Sequence, residues 1–366
     1  MEGKTGTSVT LNGKDYLYFA GTSYFQLHSH PEVIQAAANA TLEFGMGSAT
    51  SRSLTGTTAL QVALETLAAS FFSSEDAVYL PSGYLCSLAG LKALNELDLY
   101  EHIFLDEGSH YSLHEGAMTT GKPVTIFSNR NIENLSLKID EQLAPGERPL
   151  IASDGMFPIK AQLAPVDQYA SLAEKHKGVV WIDDAHGVGI LGNQGRGTLE
   201  KLEINSRRVY MGATLSKAFG SYGGIIPGPA NFVEKIRSGS VITGSNSPLN
   251  AAVAAALKGI EILEEQVELR QNLWENARYL KNGLSSLGIS TDNNEIPVVS
   301  FSIGNKGLMK AIHESLLQEG IYIQYTHYRG SGSEGILRMV VTSAHTKVEI
   351  DRLLVSLGKA IDNSNS

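Results

Sequence analysis

Lys217 is the residue of this sequence with the clearest capacity for chemistry, because its neighbours are small or apolar. Residues 209–214 form a short apolar run typical of a buried strand, and Ala218, Phe219 and Gly220 follow the lysine directly. An ammonium in such surroundings is poorly solvated, so we expect the pKa of Lys217 to be lowered. The neutral amine attacks carbonyl carbons, which makes a Schiff-base lysine one interpretation. A solvated, inert lysine at the rim of a glycine-rich loop is the other.

Further polar residues follow predicted strands in the same way. Strands predicted at 77–80, 102–105, 179–182 and 209–214 are followed by Ser82, Gly83 and Tyr84, by Ser109 and His110, by Asp183 and His186, and by Thr214 and Lys217. In a parallel sheet, ligands bind beyond the carboxyl ends of the strands. We therefore expect these side chains to lie at one edge of one sheet.

Asp183 has two interpretations. A lone aspartate at the end of a strand most often caps the turn that follows. Alternatively, it stays ionised opposite a cation, such as the protonated ring nitrogen of pyridoxal phosphate. Lys217, Asp183, an aromatic-like His110 and nearby hydroxyl and amide donors together supply what that cofactor requires.

Three other motifs do not carry a convincing functional signal. Residues 187–192 match G-x-G-x-x-G, but the first glycine does not follow the strand directly and no helix pattern comes after it, so we expect no dinucleotide site. Thr214 and Lys217 resemble the S-x-x-K of acyl-serine hydrolases, without its partner motifs. His110 and His114 have helical spacing but no convincing third ligand, so we expect no metal site.

Composition narrows the class of protein. The chain has 366 residues, 42% of them hydrophobic and 18% charged, which predicts a globular protein of two domains. A formal net charge of −9 without a basic cluster argues against nucleic acid and anionic membranes as partners. No apolar run is long enough to span a membrane. Cys86 is the single cysteine, so no intrachain disulfide can form and a cytoplasmic protein is expected.

The order of the predicted elements indicates an α/β fold. Strands and helices alternate from residue 60 to residue 214, which is typical of a mostly parallel, doubly wound sheet. One long helix is predicted after Pro248, followed by a small α+β region whose last helix begins with a capping box, Thr346 and Glu349. We expect an N-terminal arm at 1–45, a large cofactor-binding domain at 46–255 and a small C-terminal domain at 256–366.

These residues resemble a known family over residues 18–354. The chain is similar to the α-oxoamine synthases, fold-type-I pyridoxal-phosphate enzymes that include 8-amino-7-oxononanoate synthase, 2-amino-3-ketobutyrate CoA ligase and serine palmitoyltransferase. The motifs that carry the resemblance are DDAHG (183–187), GRG (195–197), TLSKAFG (214–220), DEGSH (106–110) and the C-terminal LRM (337–339) with Thr342, Ala344 and His345.

The resemblance implies a role for each matching residue. Lys217 would form the Schiff base with pyridoxal 5′-phosphate and later move a proton. Asp183 would pair with the ring nitrogen, His186 would bind the ring oxygen and His110 would stack on the ring. The Gly83 and Tyr84 amides, with Thr214, would hold the phosphate, joined by Ser245 or Asn246 from a second subunit, and Ser82 and Ser216 are further expected cofactor-binding residues. Arg338 would bind the substrate carboxylate, near Ser23 and Tyr24.

The resemblance has two departures. The family carries a glutamate followed by Phe-Ser where this chain has Asp154, Phe157 and Pro158, and it carries an asparagine where this chain has Ser23. Proline cannot donate the hydrogen bond that the family's serine gives to the cofactor.

The resemblance also implies an activity. We expect a homodimeric acyltransferase that condenses a small amino acid with an acyl-CoA thioester. An aminotransferase on the same fold, which uses no CoA, is the alternative. A protein that binds the cofactor without catalysis is a third possibility, against which Lys217, Asp183 and Arg338 argue.

Overall fold

The chain forms two compact units in the computed structural model, which describes residues 1–159, 161–292, 294–327 and 334–364. The smaller unit comprises Met1–His30, Pro158–Gln162 and Gln266–Ser366, and the larger unit comprises Pro31–Phe157 and Leu163–Glu265. The predicted division places residues 31–45 in the N-terminal arm, whereas the structure places them at the start of the larger unit, where they form a helix. The division into functional domains stays a prediction.

Strands and helices alternate through the larger unit as expected, and the elements of both units have the following bounds. The strands are β1 (Ser8–Leu11), β2 (Lys14–Phe19), β3 (Asp76–Leu80), β4 (His102–Asp106), β5 (Val124–Phe127), β6 (Pro149–Asp154), β7 (Met156–Phe157), β8 (Gln162–Leu163), β9 (Val179–Asp183), β10 (Val209–Thr214), β11 (Gly224–Gly228), β12 (Val298–Phe301), β13 (Ile321–Thr326) and β14 (Ile336–Val340). The helices are α1 (Pro31–Phe44), α2 (Ala59–Phe71), α3 (Tyr84–Glu96), α4 (Tyr111–Met118), α5 (Ile132–Gln142), α6 (Val166–Lys175), α7 (Thr198–Lys201), α8 (Ala230–Ser238), α9 (Ser240–Thr243), α10 (Asn250–Glu265), α11 (Val267–Ser286), α12 (Lys306–Gln318) and α13 (Lys347–Ser364).

The larger unit is built on a seven-stranded sheet with the order β3-β11-β10-β9-β6-β4-β5. The five strands from β10 to β5 are parallel to their neighbours, whereas β11 is antiparallel to both β10 and β3. This confirms the predicted mostly parallel α/β sheet. The antiparallel β11 was not predicted, and it joins the strand that ends before Ser82 to the strand that ends at Thr214.

Trp181 shows how tightly this sheet packs. Its side chain is fully buried in the core cluster between the sheet and α3. A methyl group on Gly90 of α3 would lie 2.1 Å from the indole ring, and one on Gly212 of β10 would lie 3.0 Å from it. The two glycines therefore provide the room for the ring, and replacing Gly90 would displace helix or ring.

The smaller unit contains a five-stranded sheet with the order β1-β2-β13-β14-β12. One face is apolar and packs on α11, α12 and α13 with Leu17, Phe19, Ile323 and Met339. Because side chains alternate across a strand, Arg338 lies on the opposite face from Leu337 and Met339. The sheet thus divides the unit into a core face and a polar face.

Two local predictions have clear outcomes. The predicted long helix is wrong: α10 ends at Glu265 and α11 begins at Val267, with Gln266 at φ −105° and ψ 71° between them. Neither glycine nor proline marks that break, and the apolar spacing continues through it. The predicted capping box is confirmed, since the Thr346 amide donates to Glu349 and the Glu349 amide donates to Thr346 Oγ1. Within the described residues, no helix combines the length and apolar character that crossing a membrane requires.

Candidate active site

Lys217 and His186 meet beyond the carboxyl ends of β10 and β9. The Lys217 Nζ lies 2.7 Å from His186 Nε2. The loop that carries the lysine turns at Gly220 and Gly223, which have φ values of 66° and 113°. A left-handed backbone at these two positions favours glycine, so the loop sequence fits the path that presents the amine.

Asp183 ends β9 and lies close to both helices that flank the site. Its Oδ2 atom accepts hydrogen bonds of 3.4 Å from the hydroxyls of Ser87 and Ser112. Its Oδ1 atom accepts a hydrogen bond of 3.1 Å from the Ala185 amide. The carboxylate therefore caps the following turn, as the structural interpretation expects, and still presents a partly exposed negative charge at the sheet edge.

His110 lies at the start of α4 and is linked to Asp183 through Ser112. Its Nδ1 atom lies 2.8 Å from Ser112 Oγ, and its ring stands edge-on to the ring of Tyr84 at 5.9 Å between centroids. Burial lowers the pKa of His110, and the nearby Lys217 lowers it further, although Asp183 acts in the opposite direction. A neutral imidazole near neutral pH follows, which suits stacking on an aromatic ring.

Gly83 and Thr214 form a close contact where α3 begins. A methyl group on Gly83 would lie 2.5 Å from Thr214 Oγ1, so only glycine leaves this space open. The Thr214 and Ser216 hydroxyls lie 2.7 Å apart, and the Tyr84 amide donates to Ser82 Oγ at 3.3 Å. The N-terminus of a 13-residue helix beside two hydroxyls is well suited to bind a phosphate group.

Asp184 explains the glycine-rich motif that follows β9. Its carboxyl group is fully buried and accepts hydrogen bonds of 2.6 Å from both the amide and the hydroxyl of Thr198. Methyl groups on Gly155, Gly187 and Gly197 would lie 2.5, 2.2 and 2.0 Å from its oxygens. Burial raises the pKa of Asp184 to about 7. The glycines thus enclose a carboxyl group, and the segment after them leads into α7 at Thr198.

The remaining predicted cofactor residues lie after α9. Ser245 Oγ donates to the Val241 carbonyl at 2.8 Å, and Asn246 pairs with Ser51 through an isolated bridge. Their predicted position in a partner subunit's site stays a prediction. For His110 and His114, the described part of the chain contains no group of three or more potential metal ligands.

The three predicted substrate residues lie in the smaller unit. Arg338 is 6% exposed, its Nε donates to the Pro158 carbonyl at 3.2 Å, and its Nη1 contacts Gln324 Oε1 at 3.4 Å. Burial lowers the pKa of Arg338, whereas it raises the pKa of the fully buried Tyr24 to about 12. Ser23 Oγ lies 2.7 Å from His28 Nδ1. Within the described residues, no carboxylate forms an ion pair with Arg338.

Sequence reasoning missed Ser87, Ser112 and the part played by Asp154. The two serines bind the Asp183 carboxylate, and the Asp154 carboxyl accepts a hydrogen bond of 3.0 Å from the His110 amide. Ser112 follows His110 by two residues and so lies within an existing motif. Ser87 has no such signal, because its position on the inner face of α3 becomes apparent only when the helix packs on the sheet.

The donor set of the larger unit fits pyridoxal phosphate. An amine, a carboxylate and two imidazoles lie at one sheet edge, which matches the aldehyde, ring nitrogen, ring oxygen and ring face of that cofactor. The contact of Gly83 with Thr214 leaves a backbone cradle that a Cβ atom would fill. The residues present are therefore compatible with the cofactor that the sequence motifs imply.

Comparisons with known proteins agree with this geometry. The family model "Aminotransferase class I and II" matches residues 14–357. The chain is 30% identical to an 8-amino-7-oxononanoate synthase of Alkaliphilus metalliredigens, over 96% of this chain and 89% of that protein. It is also 30% identical to 8-amino-7-oxononanoate synthase 1 of Bacillus subtilis, over 97% and 90%.

A solved structure shows the same fold. The serine palmitoyltransferase from S. paucimobilis, solved with bound PLP and myriocin, has a TM-score of 0.91 to this chain at 24% identity. The superposition covers 98% of this chain and 90% of the other.

Proposed function

We propose a function from the premise that the chain belongs to the aminotransferase class I and II family and, within it, to the α-oxoamine synthases. The chain is a pyridoxal 5′-phosphate-dependent transferase of the acyltransferase type. Its substrates, by analogy with the 8-amino-7-oxononanoate synthases it is similar to, are a small amino acid and an acyl-CoA thioester. The products are an aminoketone, free CoA and, where the carboxylate is lost, carbon dioxide.

The cofactor, when bound, supplies an electron sink for negative charge at the α-carbon of the amino acid. We assign Lys217 to hold the cofactor and to take the α-proton on its Nζ. Asp183 keeps a proton on the ring nitrogen, because an ionised carboxylate there stabilises the cation. His186 orients Lys217 through their 2.7 Å contact, and His110 covers the ring with a neutral imidazole.

The observation that supports an amino-acid substrate is the electrostatic state of Arg338. Its guanidinium is buried, and its acceptors within the described residues are neutral, namely the Pro158 carbonyl and the Gln324 amide oxygen. A buried cation without an anionic partner is costly, and a ligand carboxylate relieves that cost with a bidentate pair. We therefore assign Arg338 to the substrate carboxylate, with Ser23 and Tyr24 as further substrate residues.

Assembly as a homodimer is part of the proposal. Exposed apolar side chains of the larger unit include Phe44, Met46 and Leu249, and Leu42 is 85% exposed. The backbone amide of Asn250 donates to the Met46 carbonyl at 3.1 Å. This hydrogen bond holds the segment of Leu249 next to the segment of Phe44 and Met46, so these exposed apolar residues lie on one surface. A second copy of the chain that covers it would bring Ser245 or Asn246 to a neighbouring phosphate site. With its single cysteine, we place the protein in the cytoplasm.

The experiment that tests the function follows the cofactor absorption spectrum and free thiol together. We expect one small amino acid to change the spectrum, and an acyl-CoA then to release free CoA in amounts equal to the aminoketone formed. An Arg338→Lys variant, which keeps the charge and loses bidentate geometry, is the control for Arg338→Ala. Conversion of the cofactor to its amine form by amino acid alone, with recovery by a 2-oxo acid, would instead identify an aminotransferase.

A further inference from the structure

Three neighbouring parallel strands of the larger sheet end in an aspartate. Asp106 ends β4, Asp154 ends β6 and Asp183 ends β9. Asp154 and Asp183 are direct partners in the register of β6 and β9. Their side chains leave the same edge of the sheet on the same face, so two carboxyl groups lie side by side in the site.

The three carboxyl groups differ in how many donors they receive. Asp106 accepts four hydrogen bonds, from the amides of Gly108 and Arg130, the Asn129 side chain and the Tyr169 hydroxyl. Asp183 accepts three, from two hydroxyls and one amide. Within the described residues Asp154 accepts one, from the His110 amide at 3.0 Å. Hydrogen-bond donors stabilise an ionised carboxylate, so Asp154 is the least suited of the three to carry a charge.

The surroundings of Asp154 disfavour its charge further. The residue is only 5% exposed, and the carboxylates of Asp183 and Asp106, at the ends of the two adjoining strands, both disfavour its charge. Within the described residues, Lys217, beyond β10, is the one cation among the groups that act on it, and His110, at the start of α4, is neutral near neutral pH. Burial, followed by repulsion from Asp183, raises the pKa of Asp154 well above its usual range.

We propose that Asp154 is a positioning residue that keeps its own proton, so that the Asp154–Asp183 pair presents a single negative charge to the ring nitrogen of the cofactor. This inference rests on the proposed function for the identity of the cofactor. The neutral acid still accepts the hydrogen bond from the His110 amide, which fixes the backbone of the residue that covers the ring. The Asp154–Asp183 pair gives up no proton when the cofactor binds, because the ring nitrogen of the cofactor already carries a proton.

Neutrality at Asp154 also matters for Lys217. A second carboxylate beside Asp183 would attract the lysine ammonium and make its proton harder to remove. Since the amine must be neutral to take the α-proton, an uncharged Asp154 favours the reactive form of Lys217. The family pattern has a glutamate at this position, and the shorter aspartate side chain of this protein holds the carboxyl group nearer to the strand end.

The test is infrared difference spectroscopy on the full-length, cofactor-loaded protein labelled with ¹³C in the aspartate carboxyl groups. At pH 7 we expect the wild type to show a stretching band of protonated carboxyl groups with contributions from Asp154 and from Asp184, whose pKa burial raises to about 7. Asp154→Asn should lose the Asp154 component of that band, which Asp184→Asn should keep. Asp167→Asn, which removes an exposed aspartate of α6, is the matched control and should leave the band in place. Circular dichroism checks that each variant is folded.

A second measurement follows native Asp154 without replacing it. In Asp183→Asn the like charge is gone, so the band assigned to Asp154 should disappear at a pH lower by about one unit or more. The proposal is overturned if Asp154→Asn shows the same band as the wild type, or if Asp183→Asn leaves the titration midpoint unchanged. Neither result depends on CoA release, so a failure here is distinct from a failure of the proposed acyltransferase activity.

Discussion

The strand ends of the larger unit and the polar face of the smaller unit differ in the partners that they give to their charged side chains. In the larger unit, Lys217 contacts His186, and Asp183 accepts hydrogen bonds from two serines and an amide. In the smaller unit, the guanidinium of Arg338 contacts a carbonyl and an amide oxygen, both neutral. The first region supplies hydrogen-bond partners for its own charged groups, whereas in the described part of the second region the arginine has no anionic partner.

This difference indicates which kind of ligand each region is suited to bind. A set of groups that already satisfy one another is preorganised, and it can receive a cofactor without large rearrangement. A buried cation with neutral neighbours gains most from a ligand that carries the missing charge. The contrast predicts that variants in the first region affect chemistry most, while variants of Arg338 affect substrate binding.

The largest effect is expected at Lys217. Lys217→Ala should abolish turnover, with a loss of roughly 10⁴-fold or more, because both the attachment of the cofactor and the proton transfer depend on the amine. Lys175→Ala, at an exposed position of α6, is the control. Borohydride reduction of the wild type followed by peptide mapping should place the cofactor on Lys217. A label on any other lysine contradicts the assignment of the whole region.

Asp183→Asn should cost roughly a hundredfold or more in rate while the fold stays intact, because a neutral amide no longer stabilises a protonated ring nitrogen. Asp184→Asn, at the next position of the same motif, tests the contrast between an aspartate that acts in the reaction and one that stabilises the fold. It should lower the free energy of unfolding by about 1–3 kcal/mol, because the amide cannot accept from both Thr198 donors. Steady-state rates and denaturant unfolding of both variants separate the two roles. Near-normal turnover in Asp183→Asn would show that Asp183 only caps the turn after β9.

Arg338→Met sharpens the comparison between the regions. Amino-acid affinity should fall roughly 30-fold or more, which corresponds to about 2 kcal/mol or more for the loss of a charged partner. The melting temperature without substrate should not fall, because a buried cation without an anionic partner is replaced by an apolar side chain of similar volume. Titration of the cofactor spectrum and thermal unfolding provide the two measurements. A strong loss of stability would show that the arginine has an anionic partner already.

The last effect concerns the pH dependence of stability. Burial raises the pKa of Asp184 to about 7 and the pKa of Asp154 well above its usual range, so at these two groups the folded protein binds more protons than the unfolded chain between about pH 4 and pH 7, and their contribution to stability has the sign that follows. The free energy of unfolding therefore falls as pH rises through this window, by up to about 1.4 kcal/mol per pH unit for each group. Urea unfolding at pH 5 and pH 7 should show a smaller decrease in Asp154→Asn than in the wild type. An unchanged decrease counts against a raised pKa at Asp154.

The sequence predicted most of the fold and which residues of the larger unit lie together at one sheet edge, whereas their roles stay predictions. Regular apolar runs and alternating elements identified the parallel strands, and the residues that follow those strands do lie together at one edge. The antiparallel β11 and the break at Gln266 were missed, because neither changes the local apolar pattern. Ser87 and the pairing of Asp154 with Asp183 were missed for a related reason, since they depend on packing and register between distant segments.

The buried carboxyl group of Asp184 has a consequence for how variation in this chain should be interpreted. Gly155 lies between β6 and β7, whereas Gly187 and Gly197 lie in the loop between β9 and α7, and a methyl group on any of them would collide with the same carboxyl group. A saturation mutagenesis screen should therefore find three positions, in two separate segments, that tolerate almost no substitution. Intolerance of that kind is often taken as a sign of catalysis, yet here it would reflect steric exclusion around an internal hydrogen-bonded turn. Double variants that also shorten or remove the Asp184 side chain should regain part of the lost expression.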